Sequence, residues 1–508
     1  MNCAERLVSF FGTQAEVARQ LRLDRAVVSN WVKSGYVPAR WAMEVEHATA
    51  GEITAMEVLN EANARKPIKL KSRPDGEAPF SSAMTGSSTM DNYAPAKRIS
   101  SFHPPQRTLL GPGPTEIHPR VLTTMSQPAI GYLDPVFVDM MEELKSLLRY
   151  AYQTRNPLTF PISGPGSVGM EYCFVNLVAP GDKVIVCRNG VFGGRMLENV
   201  ERCGGIPIVV DHEWGQPVDP QKLEDALKAN RDVRVVAFVH AETSTGVLSD
   251  AKTLVEVAHR YNAITIVDAV TSLGGSPVLV DAWDIDAVYS ASQKCLSCTP
   301  GLSPVSFNER VVDYVKARKD KIHSWFMDMN LLLGYWGATT RTYHHTAPTN
   351  SLFALHEALL LIREEGLENC WARHERHHIA LKAGLEAMGL KFFVKEEYQI
   401  PQMNAVVCPE GVKEAEVRTR LLGDFGIEIG AGLGPLAGKI WRFGLMGYSC
   451  RPDNVMLCLS ALGSVLDDMG YQVQVGDAEA AAHGAYASMH AKAAQAKARK
   501  GKVAAKAA

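Results

Sequence analysis

The chain is 508 residues long, 46% hydrophobic and 21% charged; at about 150 residues per domain this predicts roughly three folding units and excludes a wholly disordered or fibrous polypeptide. Lysine and arginine number 53 against 55 aspartates and glutamates, a balance with no whole-chain signature of nucleic-acid binding, which leaves only a small basic module as a candidate. No apolar run approaches the roughly 18 residues of a membrane helix, the opening MNCAERLVSFFGTQ has no export pattern, and the ten cysteines are scattered, so the expectation is a cytoplasmic protein with reduced thiols.

In chain order, residues 1–65 are polar and helix-like. Thr13 to Leu21 carries the small Ala15 and Ala18, Arg22-Leu23-Asp24 makes a short turn, and Arg25 to Trp31 turns Val28 and Trp31 inward; the pattern predicts a helix-turn-helix. Residues 66–105, rich in Pro, Ser, Gly and Lys, read as a flexible linker. From 106 to 300, apolar runs of strand length (158–162, 183–187, 206–210, 233–240, 263–270 and 287–292) alternate with helical segments. The helices fall at 136–152, with Val138, Met141, Leu144 and Leu148 at helical spacing, and near 167–178, 193–203, 219–229 and 251–261. Nearly continuous apolar and β-branched strands predict burial on both faces of a parallel sheet with right-handed helical crossovers. Beyond 365, a long helix (369–388), short strands and a helix at 452–469 predict a smaller α+β domain. The Ala- and Lys-rich stretch 484–508 shows no apolar face and predicts a basic tail that is frayed or disordered, or helical in part. The fold class is α/β, with a large domain at 106–364, a small one at 365–480, the helical module at 1–65 and a tail over 481–508.

Three features carry chemistry. Lys294, in Ser290-Ala291-Ser292-Gln293-Lys294, follows an apolar strand, where an ammonium is costly to strip of water; taken alone it reads as a lysine that snorkels to the surface. Asp268 ends the strand Ile264-Thr265-Ile266-Val267 and there needs a cationic or hydrogen-bonding partner, or serves as a helix cap. Ser163-Gly164-Pro165-Gly166-Ser167-Val168-Gly169 is a glycine-rich turn from strand to helix, which either binds a phosphate through backbone N–H groups or is simply a tight turn.

The order of turn, Asp268 and Gln293-Lys294, with LLGPGPTEIHPRVL (109–122), HAETSTGVL (240–248), YHHTAPTN (343–350) and GPLAGKIWRFGLMGYSC (434–450), makes residues 106–480 resemble class V aminotransferases of the alanine–glyoxylate (serine–pyruvate) group. The resemblance implies a fold-type I pyridoxal 5′-phosphate-dependent transferase: a large domain with a mainly parallel sheet and a small C-terminal domain. It implies that Lys294 is the Schiff-base lysine and proton shuttle, that Asp268 pairs with the ring nitrogen, and that Gly166, Ser167 and Gln293 hold the phosphate. Relatives often have Ser at the position of Pro165, and Ser167 replaces that hydroxyl. Phe192 falls where the family stacks an aromatic ring on the pyridine, and Ser244 where it contacts the ring hydroxyl. Tyr343 and Thr346 match positions that reach the partner subunit's phosphate, which implies a homodimer with shared sites. Arg442 falls on the arginine that grips the substrate α-carboxylate, a task suited to a planar fork of donors. His344 and His345 are expected on opposite sides of an extended segment, with no third ligand and no metal; Cys295 and Cys298 have only chance C-x-x-C spacing.

The chain also resembles (S)-ureidoglycine–glyoxylate aminotransferases, which use an Asn before His-His-Thr and a Gln in a G-Q-x-D-P stretch; here those positions are Tyr343 and Tyr132. The amino donor is therefore expected to be alanine or serine, and the acceptor glyoxylate or pyruvate, with ureidoglycine as the alternative. Residues 1–65 resemble Cro/YdaS-like repressor domains, which implies that Arg22, Arg25, Ser29, Asn30 and Lys33 face DNA. A regulator whose transaminase-like domain only senses a ligand is the rival reading. Joint retention of Lys294, Asp268 and Arg442 favours the enzyme.

Overall fold

The computed structural model describes residues 1–21, 23–38, 41–54, 57–58, 101–337, 341–474 and 476–491. Arg22, the predicted linker up to residue 100 and the tail from 492 lie outside them. The chain divides into two compact units, Met1–Phe102 and His103–Ala508.

The first unit is helical. Asn2 opens the helix Cys3–Phe11 with a capping box, the Thr13 side chain accepts from the Glu16 amide at the start of Gln14–Gln20, and Asp24 accepts from the Ala26 amide at the start of Arg25–Ser34. Each cap satisfies an N–H group that the first turn leaves unpaired. Leu7, Val17, Ala18, Val28, Trp31 and Val45 form the core. Val28 and Trp31 are buried as expected; Val17, Ala18 and Leu21, at helical spacing, fill the inner face of the preceding helix, and Ala15 is exposed.

In the second unit seven strands form the main sheet: β1 (Leu158–Ser163), β2 (Lys183–Arg188), β3 (Ile206–Asp211), β4 (Val233–Val239), β5 (Ile264–Asp268), β6 (Ala287–Tyr289) and β7 (Leu302–Phe307). Their spatial order is β1-β7-β6-β5-β4-β2-β3. All run the same way except β7, which is antiparallel to both neighbours and pairs Leu302 with Ser163. The helices Gly166–Leu177, Val191–Arg202, Pro220–Ala229 and Ala251–Arg260 alternate with the strands. Two strand expectations change. β7 is an additional strand, and it closes the sheet between β1 and β6. β3 is not buried on both faces: it is an edge strand, with Ile206 and Val209 exposed.

The small domain joins Lys391–Phe392, Met403–Val407, Ile440–Gly444 and Gly430–Ala431, in that order, into an antiparallel sheet. The helices Leu367–Ala387 and Pro452–Asp468 pack on it through Leu381, Leu385, Leu459 and Leu462. The tail is helical in part, as one reading allows, but unlike the expectation it carries an apolar face. A helix over 477–491 docks on this core, with Ala478 and Ala482 buried and the Tyr486 hydroxyl 2.7 Å from His377 Nδ1. Among the described residues no helix is long and apolar enough to cross a membrane.

Candidate active site

The carboxyl ends of the parallel strands are where open α/β sheets bind ligands, and most of the singled-out residues collect there. Asp268 is the last residue of β5 and only 3% exposed. Its Oδ2 accepts from the Tyr289 hydroxyl at 2.7 Å and its Oδ1 from the Val270 amide at 2.8 Å. Burial raises the carboxyl pKa to about 7, against the lowering pull of these two bonds.

Lys294 lies in the turn after β6 and is 8% exposed. The turn is tied by Cys298 N–H to the Ser292 carbonyl, by the Ser292 hydroxyl to the Thr299 carbonyl, and by Thr115 to the carbonyls of Gln293 and Lys294. The Lys294 amine donates to the Pro112 carbonyl. Burial, reinforced by the nearby Arg442 charge, lowers its pKa to about 8. Arg442 sits in mid-strand in the small domain, 5% exposed; Nε donates to the Ala431 carbonyl at 2.7 Å and Nη1 to the Thr243 carbonyl at 3.1 Å. These two bonds leave part of a five-donor fork uncommitted. Burial lowers its pKa to about 10.

Gly166 opens the helix Gly166–Leu177, whose N-cap, Pro165, offers no capping side chain. A Cβ on Gly166 would lie 2.8 Å from that of Ala291, so only glycine lets this turn approach the strand end. Ser167 is exposed at the same helix start, and Gln293 Oε1 is buried without a partner. Phe192 is half-buried, with the Arg195 guanidinium 4.9 Å from its ring centroid. Ser244 is fully buried; its hydroxyl lies 2.6 Å from Glu242 Oε1 and receives the Val191 amide at 3.0 Å.

Tyr343 and Thr346 are exposed and 3.3 Å apart at their hydroxyls, and the Tyr343 and Tyr132 ring centroids are 5.4 Å apart. The structure does not join them to Lys294 or Asp268 by a hydrogen bond within the chain, among the described residues. The histidine expectation is overturned: the Nδ1 atoms of His344 and His345 are 2.9 Å apart, so the two rings meet. His344 stacks on Trp325, and His345 bonds Ser163 at 2.8 Å; a kinked backbone wedged among aromatic rings replaces strand-like alternation. Among the described residues no group of three or more His, Cys, Asp or Glu is placed to hold a metal ion. In the N-terminal unit Arg25, Asn30 and Lys33 are exposed and Ser29 is half-buried.

Glu242 and Tyr289 were not anticipated. Glu242 follows an apolar strand as Asp268 does, and the same desolvation argument applied to Val-His-Ala-Glu would have found it. Tyr289 carried no polar signal, because its hydroxyl acts across to a neighbouring strand.

The sheet order and the lysine turn at its carboxyl edge define a fold-type I transferase. The chain belongs to the class V aminotransferase family, which it matches over residues 111–451, and its cofactor is pyridoxal 5′-phosphate. It is 40% identical over 400 residues to the (S)-ureidoglycine–glyoxylate transaminase of Bacillus subtilis, covering 75% of this chain and 96% of the relative. It is 40% identical over 365 residues to the alanine–glyoxylate aminotransferase of Mus musculus, covering 71% and 88%. The crystal structure of alanine–glyoxylate aminotransferase from Nostoc sp. superposes with a TM-score of 0.72 at 44% identity, over 73% of this chain and 98% of that one. Residues 5–63 match the bacterial toxin YdaS family. The residues present fit the cofactor: an uncapped helix N-terminus suits a phosphate, and a buried amine and a buried carboxylate suit an aldehyde and a ring nitrogen.

Proposed function

We propose that the enzyme transfers the amino group of alanine or serine to glyoxylate or pyruvate, with Lys294 and Asp268 as catalytic residues and Arg442 as the carboxylate anchor. The observation that carries this reading is the burial of Lys294 and Arg442, each hydrogen-bonded to backbone carbonyls and not to a carboxylate. Two cations so placed call for an anionic ligand.

When bound, pyridoxal phosphate supplies an electron sink for charge developing on the substrate α-carbon. Lys294 would tether the cofactor and, once released, would take the proton from the α-carbon; with its pKa lowered to about 8, roughly a tenth of the amine is neutral at pH 7, far more than for an exposed lysine. Asp268 keeps the ring nitrogen protonated. Gly166, Ser167 and Gln293 would hold the phosphate, Phe192 would stack on the ring, and Ser244 would meet the ring hydroxyl. Tyr343 and Thr346 complete the site of a second copy, so the active unit is a homodimer; their exposure and their lack of a bond to Lys294 support this. The N-terminal unit binds DNA weakly through Arg25, Ser29, Asn30 and Lys33, a reading supported by the exposure of most of these side chains.

The ureidoglycine reading is second, favoured by the Bacillus subtilis relative. Against it stand Tyr132 and Tyr343, whose rings offer a ureido group few matched donors and acceptors. Initial rates with glyoxylate and either alanine, serine or ureidoglycine decide: alanine or serine should give the higher kcat/KM, and a preference for ureidoglycine would reverse the assignment.

A further inference from the structure

We propose that Glu242 is a positioning residue of the cofactor site, fixing both the loop that presents Phe192 and the direction in which Ser244 offers its hydroxyl. This rests on the cofactor placement given above. Glu242 is fully buried, three residues beyond the end of β4, in the two-residue strand Ala241–Glu242 that pairs with Val247–Leu248. Its carboxylate gathers the donors of two separate segments. Oε1 accepts from the Ser244 amide at 3.0 Å and from the Ser244 hydroxyl at 2.6 Å, and Oε2 accepts from the Phe192 amide at 3.3 Å. The Gly193 amide also favours its charged form. Every partner is a donor, so an ionised carboxylate satisfies all of them without a proton of its own.

Two consequences follow from hydrogen-bond inventory. The Ser244 oxygen receives the Val191 amide at 3.0 Å while its own proton goes to Glu242. A hydroxyl has one proton and two lone pairs, so Ser244 meets a ligand only as an acceptor. The loop that carries Phe192 is held through the amides of residues 191 to 193, all of which end on Glu242 or Ser244. Gly190 completes the fit: a Cβ there would collide with the Glu242 carboxyl group and the Ser244 hydroxyl.

The test compares Glu242→Gln, Ser244→Ala and Phe192→Ala in the full-length protein. The readouts are the equilibrium dissociation constant for pyridoxal phosphate, the visible circular dichroism of the bound cofactor and the far-ultraviolet spectrum of the cofactor-free protein. A glutamine turns an N–H₂ toward backbone donors. The Glu242→Gln protein should therefore keep its far-ultraviolet spectrum, bind the cofactor roughly tenfold or more weakly, as for one hydrogen bond lost to a charged group, and show a diminished visible band. In a Ser244→Ala background the same substitution should cost less, because part of its effect runs through that hydroxyl. Where Glu242→Gln does not fold, Gly190→Ala, which displaces the carboxylate without removing it, should give the same loss. If Ser244→Ala and Phe192→Ala weaken binding while Glu242→Gln, or Gly190→Ala in its place, leaves affinity within about twofold and the visible band unchanged, the positioning role is wrong. If Ser244→Ala and Phe192→Ala are themselves without effect, the cofactor placement fails first.

Discussion

Buried charge at single residues is what makes this site chemical. Asp268, Lys294, Arg442 and Glu242 are each at most 8% exposed, and each departs from its ordinary pKa chiefly because burial penalises its charged form. Arg442→Lys keeps the charge and loses the fork, so it should raise KM for donor and acceptor alike by roughly ten- to a hundredfold, the worth of a hydrogen bond to a charged group. Steady-state kinetics with both substrates check it; an unchanged KM would place Arg442 outside the carboxylate site. Asp268 gives a pH prediction for the cofactor-free protein. Its folded pKa of about 7 lies above the value near 3.8 of an unstrained carboxyl. The folded state therefore holds the proton more tightly between those pH values. The stability contribution is fully present below the lower value and is lost as pH rises through about 7. Asp268→Asn should melt at a higher temperature than wild type at pH 8 and lose that advantage as the pH falls below 7, while turning over more slowly when loaded. Melting curves of the two cofactor-free proteins at several pH values, with no pH-dependent difference, would show that the Asp268 charge is not buried as described.

Elements explain which of these residues the sequence revealed. Six apolar runs located β1 to β6, and the helices between them fell within a few residues of expectation, because buried strands and amphipathic helices each leave a periodic pattern. β7 left none: it follows Thr299-Pro300-Gly301 and is broken by Ser303, Pro304 and Ser306, and its place comes from pairing with β1 and β6. β3 read as buried because its residues are apolar, but edge position is a property of strand order, which no local pattern encodes. Lys294 and Asp268 are legible because a charge at the end of an apolar strand is expensive; Glu242 obeys the same rule, but it stands beyond His240 in a polar run, Glu-Thr-Ser-Thr, that reads locally as a solvated turn. The His344–His345 contact arises from packing against Trp325, Phe326 and Tyr335, which local spacing does not carry. The segment 341–346 yields its own prediction. Lys294→Ala and the double substitution Tyr343→Ala with Thr346→Ala should each be inactive alone and regain activity when co-expressed, since a mixed dimer contains one intact site. No recovery in demonstrated heterodimers would confine all these residues to one chain.

At the scale of the whole molecule, two units with separate cores share one chain. Every residue assigned to the transaminase lies beyond residue 110, and Cys3 to Val58 form a core of their own. A protein beginning at Met90 should therefore keep full transaminase activity and dimerise; loss of cofactor binding on truncation would make the N-terminal unit part of the enzyme. DNA binding by the full chain should be weak and fall steeply with salt, because few basic side chains are offered and counterion release scales with the phosphates neutralised. A filter-binding titration at low and high salt reads this directly; tight, salt-insensitive binding would contradict it.

The central claim is that Lys294, buried at the carboxyl edge of the sheet, is the amine on which the enzyme runs. The most direct measurement is the visible spectrum of purified wild type and Lys294→Ala, recorded before and after addition of alanine. Wild type should carry a visible cofactor band that alanine bleaches and glyoxylate restores. Lys294→Ala should lack the covalently held cofactor and show no turnover, since general acid–base transfer alone contributes on the order of 10²–10⁴-fold. A Lys294→Ala protein with the wild-type band and wild-type turnover would contradict the account.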